Sequence, residues 1–414
     1  MPPPEPTTVL FGAGHFQRAF TGWLLHRLGP SHRAVVVRVT DGGPYDDLEA
    51  AGWRYPVWTR GLSGGEAVDE VEWVGSVAEA VYPYVDFAAY LRLAERPGLR
   101  ALVSNTTEAG IAFADEPLPA GRPARTFPGK LAQWLHHRWR HFDGDPDRGV
   151  VALPLELIED NGAALRDCLE RYAGAWGYPP AFTTWLRAHC EFCDTLVDRI
   201  VPGRPDADLL AARDLPPVAV VAEPYHLWAI RGAPDRLRAR WPTEAAGLNV
   251  RWVDDLAAAR ALKVRLLNGA HTALVPVGLR HGVATVREFV DHDRWGPWLR
   301  GLLAEDLGRA LEAHPRAEVE AYVETVLERF GNPYVEHRLE SILLNSLSKW
   351  PARLGPTVAH YLARGEAPPE RLRFAWSCQL DLARERGAAG MPDDAGAVER
   401  LVASSPSLAE FATA

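Results

Sequence analysis

Hydrophobic and polar positions follow two different patterns along the chain, and the pattern changes near residue 255. Before that point, short apolar runs rich in β-branched residues alternate with segments whose apolar positions recur at helical spacing. The apolar runs lie at residues 7–11, 33–39, 99–103, 150–155, 218–222 and 249–253. Alternating strands and helices predict a mostly parallel sheet with helices on its faces. After residue 255 the strand-like runs cease, and a 3.6-residue period dominates as far as Phe411.

The first apolar run, Thr7–Phe11, leads directly into Gly12-Ala13-Gly14 and then into a helical pattern over His15–Leu28. A strand, a glycine turn and a helix form the opening of a dinucleotide-binding unit, in which the helix N-terminus faces the pyrophosphate. The third glycine of that fingerprint is replaced by Gln17. From these residues alone, an ordinary turn and a dinucleotide site are equally good interpretations.

The two patterns together predict an α/β protein, with a Rossmann-like N-terminal domain with insertions followed by an all-α C-terminal domain. We place the dinucleotide-binding domain at 1–255 and a helical domain with substrate and catalytic residues at 256–414. Residues 53–77 alternate between polar and apolar positions around two glycines, which predicts a hairpin insertion.

The end of the second apolar run carries two residues that bear on the cofactor. An acidic residue after this strand often binds the adenosine ribose, and Asp41 lies slightly beyond the expected place. Arg38 would instead favour a 2′-phosphate. We therefore expect NAD, with NADP as the alternative.

Polar residues follow three later strands, where a ligand crevice is expected. Asn105 and Thr106 come after 99–103 and suit contacts to ribose or nicotinamide, although a helix-capping segment explains them equally well. Asn161 is interpreted first as a helix cap and second as a substrate contact. The adjacent pair Asp198 and Arg199 forms either a structural ion pair or part of a site.

The first helix after residue 255 gathers Lys263, Asn268 and His271. At about 100° per residue, Lys263 lies roughly 140° from Asn268 and roughly 80° from His271, so the three share one arc of a regular helix. An amine, an amide and an imidazole on an otherwise apolar helix indicate a polar site. A solvated lysine and a structural histidine are the plainer alternatives.

The composition of the chain excludes several classes of protein. The 414 residues carry a formal net charge of -9, which argues against nucleic acid or an anionic membrane as a partner. There is no apolar run of membrane-spanning length and no signal-like start, and only four cysteines are present, so we expect a cytoplasmic protein. Cys190 and Cys193 lack a second pair of ligands, and we expect no metal. The pattern does not indicate an oligomeric state.

Five motifs resemble those of the polyol-specific long-chain dehydrogenases, the mannitol dehydrogenase family. They are Phe11–Ala19, Ser104–Gly110, Thr195–Ile200, Lys263–His271 and Arg329–Pro333, in the expected order. Within the family they look most like the branch that interconverts tagaturonate and altronate. Mannitol-type members usually carry asparagine where this chain has Leu157, which disfavours mannitol as the substrate.

The resemblance implies a role for each motif. Lys263 would be the proton donor in ketone reduction and the base in alcohol oxidation, for which its pKa would need to be lowered. Asn268 would stabilise the alkoxide, and His271 would orient the substrate or the lysine. The first motif implies cofactor contacts, which are Gly12, Gly14, His15 and Phe16. No metal is needed, because the ammonium polarises the carbonyl.

A uronate substrate carries a carboxylate, so a second cation is expected in the site. Arg199, Arg338 and Lys349 are the candidates, with Asp198 as an acceptor for a sugar hydroxyl. Alternatives within the family are a fructuronate (mannonate) reductase and a mannitol or altritol 2-dehydrogenase. A dinucleotide-sensing protein without catalysis is the alternative outside it, and the joint presence of Lys263, Asn268 and His271 favours an enzyme.

Overall fold

The structure is a computed structural model that describes residues 4–42, 45–107 and 109–412. The chain divides into two compact units, of which unit 1 comprises Met1–Arg60 and Asp69–Leu256, and unit 2 comprises Gly61–Val68 and Ala257–Ala414. The predicted fold class is confirmed, since unit 1 is α/β with a parallel sheet and the described residues of unit 2 after Leu256 are helical. The domain division at residue 255 stays a prediction.

The described residues contain twelve strands. They are β1 (Thr8–Phe11), β2 (Ala34–Val37), β3 (Tyr55–Ser63), β4 (Glu66–Val74), β5 (Val77–Val81), β6 (Ala101–Ser104), β7 (Val151–Pro154), β8 (Glu191–Phe192), β9 (Asp194–Asp198), β10 (Val220–Ala222), β11 (Leu227–Arg231) and β12 (Val250–Val253). The six predicted strands all form, each within two residues of the predicted start. Strands β5, β8, β9 and β11 were not predicted.

The central sheet of unit 1 has the order β5-β2-β1-β6-β7-β8, and its pairs are parallel. Strand β1 lies in the middle, with Phe11 level with Val37 on one side and Ser104 on the other. The carboxyl ends of β1, β2 and β6 therefore lie side by side. This arrangement brings the glycine turn, the Arg38 region and the Asn105 loop to one edge of the sheet.

Both faces of the central sheet are buried, which explains why its strands are mostly apolar and do not alternate with polar residues. Leu10, Val36 and Val103 pack into one hydrophobic cluster, while Val9, Phe11 and Leu102 pack into a second cluster on the other face. Every residue of β1, β2, β6 and β7 is buried.

The remaining strands form two small sheets, ordered β10-β3-β4 and β12-β11-β9. Strands β9 and β11 pair antiparallel, with Asp198 opposite Leu227. The predicted strands at 218–222 and 249–253 thus form as β10 and β12 but lie outside the central sheet.

The helices of unit 1 are short, apart from three that run for ten residues or more. They are α1 (His15–Gln17), α2 (Trp23–Arg27), α3 (Asp46–Ala50), α4 (Phe87–Leu93), α5 (Phe127–His141), α6 (Asn161–Ala175), α7 (Pro180–His189), α8 (Ala207–Ala212) and α9 (Asp235–Arg240). A π-helical turn at Arg18–Gly22 joins α1 to α2, and a 3-10 turn lies at Pro146–Arg148.

Unit 2 is built from the helices α10 (Ala257–Ala261), α11 (Gly269–Arg280), α12 (Val286–Asp291), α13 (Trp295–Gly301), α14 (Arg316–Phe330), α15 (Leu339–Leu343), α16 (Ser346–Ala363), α17 (Glu370–Gly390), α18 (Ala395–Ser404) and α19 (Leu408–Ala412). Two further π-helical segments lie at Leu262–Asn268 and Leu302–Leu307, and a 3-10 turn lies at Gly308–Ala310. The backbone N–H groups of Gly64 and Gly65, at the hairpin turn between β3 and β4, donate to the carboxylate of Glu328 in α14. Across the described ranges, no helix combines the length and the apolar character needed to cross a bilayer.

Candidate active site

The segment that carries Lys263 and Asn268 is a π-helix, not the regular α-helix expected from the sequence. Leu262–Asn268 joins α10 to α11 with a widened turn, and the N–H of Gly269 reaches the carbonyl of Val264, five residues earlier. A π-helix has more residues per turn than an α-helix, so residues five apart lie nearer to each other round the axis. Lys263 and Asn268 are therefore closer together round the axis than the roughly 140° of an α-helix. A π-turn in a helix is frequently a feature of a functional site.

Lysine is rare in this chain, which makes its position informative. The sequence has three lysines, Lys130, Lys263 and Lys349, and the other cations among the 45 basic residues are arginines. All three lysines are buried or half-buried. The scarcity of lysine is a signal in the sequence that favours a functional role for Lys263 over that of an ordinary solvated lysine.

His271 lies in the first turn of α11 and is buried, with 7% of its surface exposed. Its ring stacks on Phe330 at 4.1 Å between centroids and meets the edge of His337 at 4.9 Å. Burial holds the pKa of His271 well below its usual value, and the positive charges of His337 and Arg329 lower it further. Its Nε2 has no hydrogen-bond partner among the described residues. His271 is thus a neutral imidazole with one ring nitrogen able to form a hydrogen bond with a ligand.

Helix α16 brings two cations towards His271. Lys349 donates from Nζ to the carbonyl of Ile342 at 2.7 Å, and burial, followed by the charge of Arg353, lowers its pKa. Arg353 donates to the hydroxyl of Thr272 at 3.2 Å, and burial lowers the pKa of its guanidinium. Both cations act electrostatically on His271. Within the described part of the chain, Arg353 makes no salt bridge.

The hydroxyl of Thr272 links Arg353 to the π-helical segment. It accepts from Arg353 and donates to the carbonyl of Asn268 at 3.0 Å. The approach of α16 depends on Gly269, where a Cβ would lie 3.1 Å from Leu354. The side-chain amide of Asn268 makes no hydrogen bond among the described residues, so it can donate to a ligand. We call Lys263, Asn268, His271, Lys349 and Arg353 the cationic cluster.

Arg338 is not part of the cationic cluster. It precedes α15, its side chain is 66% exposed, and it pairs with Glu336 at 2.7 Å. The sequence analysis named Arg338 and missed Arg353. The residues next to an arginine in the sequence do not reveal whether it is buried or which group it contacts.

The glycine turn of unit 1 has the geometry that a bound dinucleotide needs. Gly12 has φ +109, and a Cβ there would lie 3.3 Å from the carbonyl of Asn105. Gly14 caps α1, and no atom lies within 4 Å of where its Cβ would be, which leaves the approach to the helix N-terminus open. His15 is half-buried, with a pKa lowered by burial and by Arg18, and Phe16 stacks on Phe20 at 4.9 Å.

The loop after β6 is fixed by Glu156, a residue that sequence reasoning did not single out. Its carboxylate accepts from the hydroxyl of Ser104 at 2.9 Å and from the N–H and hydroxyl of Thr106 at 2.9 and 2.7 Å. Glu156 is buried and follows β7, the neighbour of β6. The Thr106 hydroxyl is thus engaged within the protein, while Asn105, between the two clamped residues, is half-exposed beside Gly12. The next residue, Leu157, is 59% exposed.

Arg38 and Asp41 lie after β2, as expected. The Arg38 guanidinium covers the ring of Tyr45 at 4.5 Å and donates to Thr40 at 3.4 Å, and Asp41 is exposed in the following bend. Whether Arg38 and Asp41 contact a ribose hydroxyl or a 2′-phosphate stays a prediction.

Asn161 does not cap α6, which corrects the first interpretation of that residue. Asp160 occupies the cap position, and Asn161 is 1% exposed. Its amide donates to the carbonyls of Pro154, Glu156 and Thr195, and its oxygen accepts from the N–H of Thr195 at 2.8 Å. The side chain thus joins β7 to β9, and its hydrogen-bonding capacity is used within unit 1.

Asp198 is the last residue of β9, Arg199 follows it, and both are buried. Arg199 donates to the carbonyls of Glu223 and Ala19 at 3.0 and 2.5 Å and covers Trp23 at 4.2 Å. Burial lowers its pKa to about 10. These contacts make Arg199 a structural link within unit 1. Its Nη2 has no hydrogen-bond partner among the described residues, so its assignment as a carboxylate-binding cation stays a prediction. Asp198 stays a predicted substrate contact.

All four cysteines are buried and unpaired. Burial raises the pKa of Cys190 and of Cys193 to about 12, which makes either thiol a poor nucleophile at neutral pH. No group of three or more metal-binding side chains is found among the described residues.

Comparisons with known proteins match both parts of the chain. The mannitol dehydrogenase Rossmann domain matches residues 6–268, and the mannitol dehydrogenase C-terminal domain matches residues 255–389. Altronate oxidoreductase of Bacillus subtilis (strain 168) is 39% identical over 381 residues, which are 89% of this chain and 78% of that protein. Altronate oxidoreductase of Bacteroides thetaiotaomicron is 36% identical over 406 residues, which are 95% of this chain and 84% of that protein.

Two solved structures share the fold. A D-sorbitol dehydrogenase in substrate-free form covers all of this chain and 86% of its own, with 22% identity and a TM-score of 0.80. Mannitol 2-dehydrogenase of Pseudomonas fluorescens, in a ternary complex with NAD and D-mannitol, covers 97% of this chain and 87% of its own, with 22% identity and a TM-score of 0.69. The predicted resemblance is confirmed, and the chain belongs to the mannitol dehydrogenase family of oxidoreductases.

Proposed function

We propose that this enzyme interconverts D-tagaturonate and D-altronate with NAD(H) and without a metal. The reaction is supported by relatives named altronate oxidoreductase that are 36–40% identical over most of the chain. The observation that carries the proposal is Arg353: a half-buried guanidinium without a carboxylate partner among the described residues, joined through Thr272 to the segment with Lys263 and Asn268.

The residues of unit 1 fit a dinucleotide. The left-handed conformation of Gly12 and the open space at Gly14 leave a cradle that a Cβ would fill or strain. The backbone N–H groups at the start of α1 would bind the pyrophosphate, and the clamped loop with Asn105 would bind the nicotinamide half. NAD(H), when bound, supplies or accepts the hydride.

Lys263 transfers the proton that accompanies the hydride. In ketone reduction its ammonium donates to the carbonyl oxygen, and in alcohol oxidation its amine accepts the hydroxyl proton. Asn268 lies on the same π-helical segment as Lys263 and donates a hydrogen bond to the same oxygen as negative charge develops. Neutral His271 accepts a hydrogen bond from a substrate hydroxyl at Nε2, and because its pKa is lowered it stays uncharged.

Arg353 and Lys349 bind the substrate carboxylate. A guanidinium offers two parallel N–H donors to a carboxylate, and half-burial strengthens the charged hydrogen bonds. A neutral polyol would leave this charge unmatched, so the cluster favours a uronate over mannitol. The acidic net charge of -9 agrees with a small-molecule substrate and a cytoplasmic enzyme that does not bind nucleic acid.

The experiment follows NADH oxidation with tagaturonate, fructuronate and fructose in parallel, and repeats it with NADPH. We expect tagaturonate to be the best substrate, fructose a poor one and NADPH a poor donor. Lys263→Ala should abolish turnover and leave NADH binding intact, while Arg287→Ala, an exposed arginine that pairs with Asp291, should change neither. Near-normal turnover of the lysine variant would contradict the mechanism. Faster reduction of fructuronate than of tagaturonate would make fructuronate the substrate instead.

Arg353→Gln tests the carboxylate site. Loss of one partner of a desolvated charge pair costs about 2–5 kcal/mol, so kcat/KM for tagaturonate should fall by about 30-fold or more. The low rate with fructose should not change, because fructose lacks the carboxylate. Arg338→Gln is the matched control and should stay within about threefold of the wild type. A loss in the control rather than in Arg353→Gln would return the carboxylate to Arg338.

A further inference from the structure

A cavity lies in unit 1 at the amino ends of the strands of the central sheet. It has a volume of about 590 Å³ and is lined by residues at the starts of β6 and β7, by the 3-10 turn and by α9. Gly12 and the Asn105 loop lie at the carboxyl ends of the same sheet. Strands of four residues separate the two edges by roughly 10–13 Å.

Four arginines line this amino-end cavity, and they are Arg100, Arg148, Arg236 and Arg240. The acidic residues that line it are Asp147 and Glu191. The lining therefore has an excess of positive charge, although the chain as a whole carries -9. Such a concentration of one sign of charge in a concave site attracts ligands of the opposite sign.

Two of the arginines already have carboxylate partners. Glu191 pairs with Arg236 through both of its oxygens, and Arg148 pairs with Asp145 at 3.2 Å. The other two have none among the described residues. Arg100 donates to the backbone carbonyl of Asp147, which carries no net charge.

The electrostatics of Arg100 agree with this geometry. Burial lowers the pKa of its guanidinium, and the positive charges of Arg148, Arg240 and Arg236 lower it further, more than Asp147 raises it. The arginines therefore repel one another across the cavity. A ligand that carries several negative charges would relieve that repulsion and would gain charged hydrogen bonds from the guanidinium forks.

We propose that the amino-end cavity binds a small polyanion, a molecule with at least two negative charges on phosphate or carboxylate groups. The volume lies within the range of small-molecule sites, and Arg100 and Arg240 are the cations that the protein itself leaves without a carboxylate. The cavity shares no residue with the cationic cluster or with the dinucleotide turn, so occupancy does not require the substrate.

Isothermal titration calorimetry on the full-length enzyme saturated with NADH tests the proposal, with pyrophosphate and citrate as separate probes at constant ionic strength. We expect one equivalent of at least one probe to bind, with an affinity that falls as NaCl is added. The two probes distinguish a phosphate ligand from a carboxylate ligand. Arg240→Ala and Arg100→Gln should each weaken binding by about tenfold and leave kcat unchanged.

Arg92→Ala is the matched control, because it removes an arginine that pairs with Asp86 on the surface of the same unit. It should leave binding of the probe unchanged. Three results would overturn the proposal: no binding of either probe, equal affinity in all variants, or binding that occurs only in a parallel titration without NADH, which would place the anion at Gly12–Gly14. Arg240 is exposed at the end of α9, so its variant should fold even where Arg100→Gln does not.

Discussion

The substitution Glu156→Ala removes the carboxylate that accepts three hydrogen bonds from Ser104 and Thr106. A hydrogen bond to a charged group contributes about 1.5–3 kcal/mol, and a buried donor left without a partner costs about 1–3 kcal/mol. The two hydroxyls can rotate towards other acceptors, but the Thr106 N–H cannot. We therefore expect the free energy of unfolding to fall by about 3 kcal/mol.

The same substitution should weaken NADH binding. Asn105 lies between the two clamped residues, and its carbonyl oxygen lies 3.3 Å from the place that a Cβ on Gly12 would occupy. A loosened loop must be ordered again when the cofactor binds, which costs free energy. A cost of about 1.4 kcal/mol would raise the Kd for NADH about tenfold. Glu156→Gln keeps one acceptor oxygen for Thr106 and should lose less in both measurements.

Urea denaturation and a fluorescence titration with NADH measure the two effects. Asp167→Ala, a carboxylate on α6 with 70% of its side chain exposed, is the control and should change the free energy of unfolding by less than about 0.5 kcal/mol. Wild-type stability of Glu156→Ala would refute the hydrogen-bond reasoning. Lower stability with an unchanged NADH Kd would refute the assignment of the loop to the cofactor.

Two further predictions concern stability. Gly162→Ala places a Cβ 2.5 Å from the carbonyl oxygen of Cys193, so it should destabilise the protein by about 1–3 kcal/mol in urea, whereas Gly174→Ala on the same helix meets no atom and should be neutral or stabilising. Burial lowers the pKa of His226 to about 4, and its Nε2 accepts from the N–H of Asn249, so the unfolded chain binds a proton first as the pH falls below about 6.5. The unfolding free energy should therefore decrease by about 2 kcal/mol more in the wild type than in His226→Gln between pH 7 and pH 5, and parallel decreases would contradict the assignment.

The sequence predicted the parts of the fold that depend on neighbouring residues. The apolar runs become β1, β2, β6 and β7 because both faces of the central sheet are buried, so these strands are mostly apolar and do not alternate with polar residues. Strand β9 was not predicted because it mixes polar and apolar side chains, whereas the short apolar run Leu227–Ile230 of β11 was not singled out. The two strands are held by pairing with each other, about 30 residues apart in the chain.

The candidate site likewise has residues that the sequence predicted and residues that only the fold revealed. The grouping of Lys263, Asn268 and His271 was visible in their spacing, although the π-turn changes the angle between them. Arg199 was named as a candidate cation for the substrate carboxylate, and the fold buries it against Trp23. Its role depends on which backbone carbonyls surround it, which spacing along the chain does not encode.

The sequence by itself determined the α/β order of elements, the glycine turn after the first strand and the lysine segment at the start of the helical part. Each of these follows from residues within a few positions of one another, since strand, turn and helix propensities are local. Only the tertiary structure decided that Glu156 clamps the Asn105 loop and that Arg353 reaches Thr272, 81 residues away. Burial and partnership of charged groups arise when distant segments pack, because only packing removes water and fixes which donor meets which acceptor.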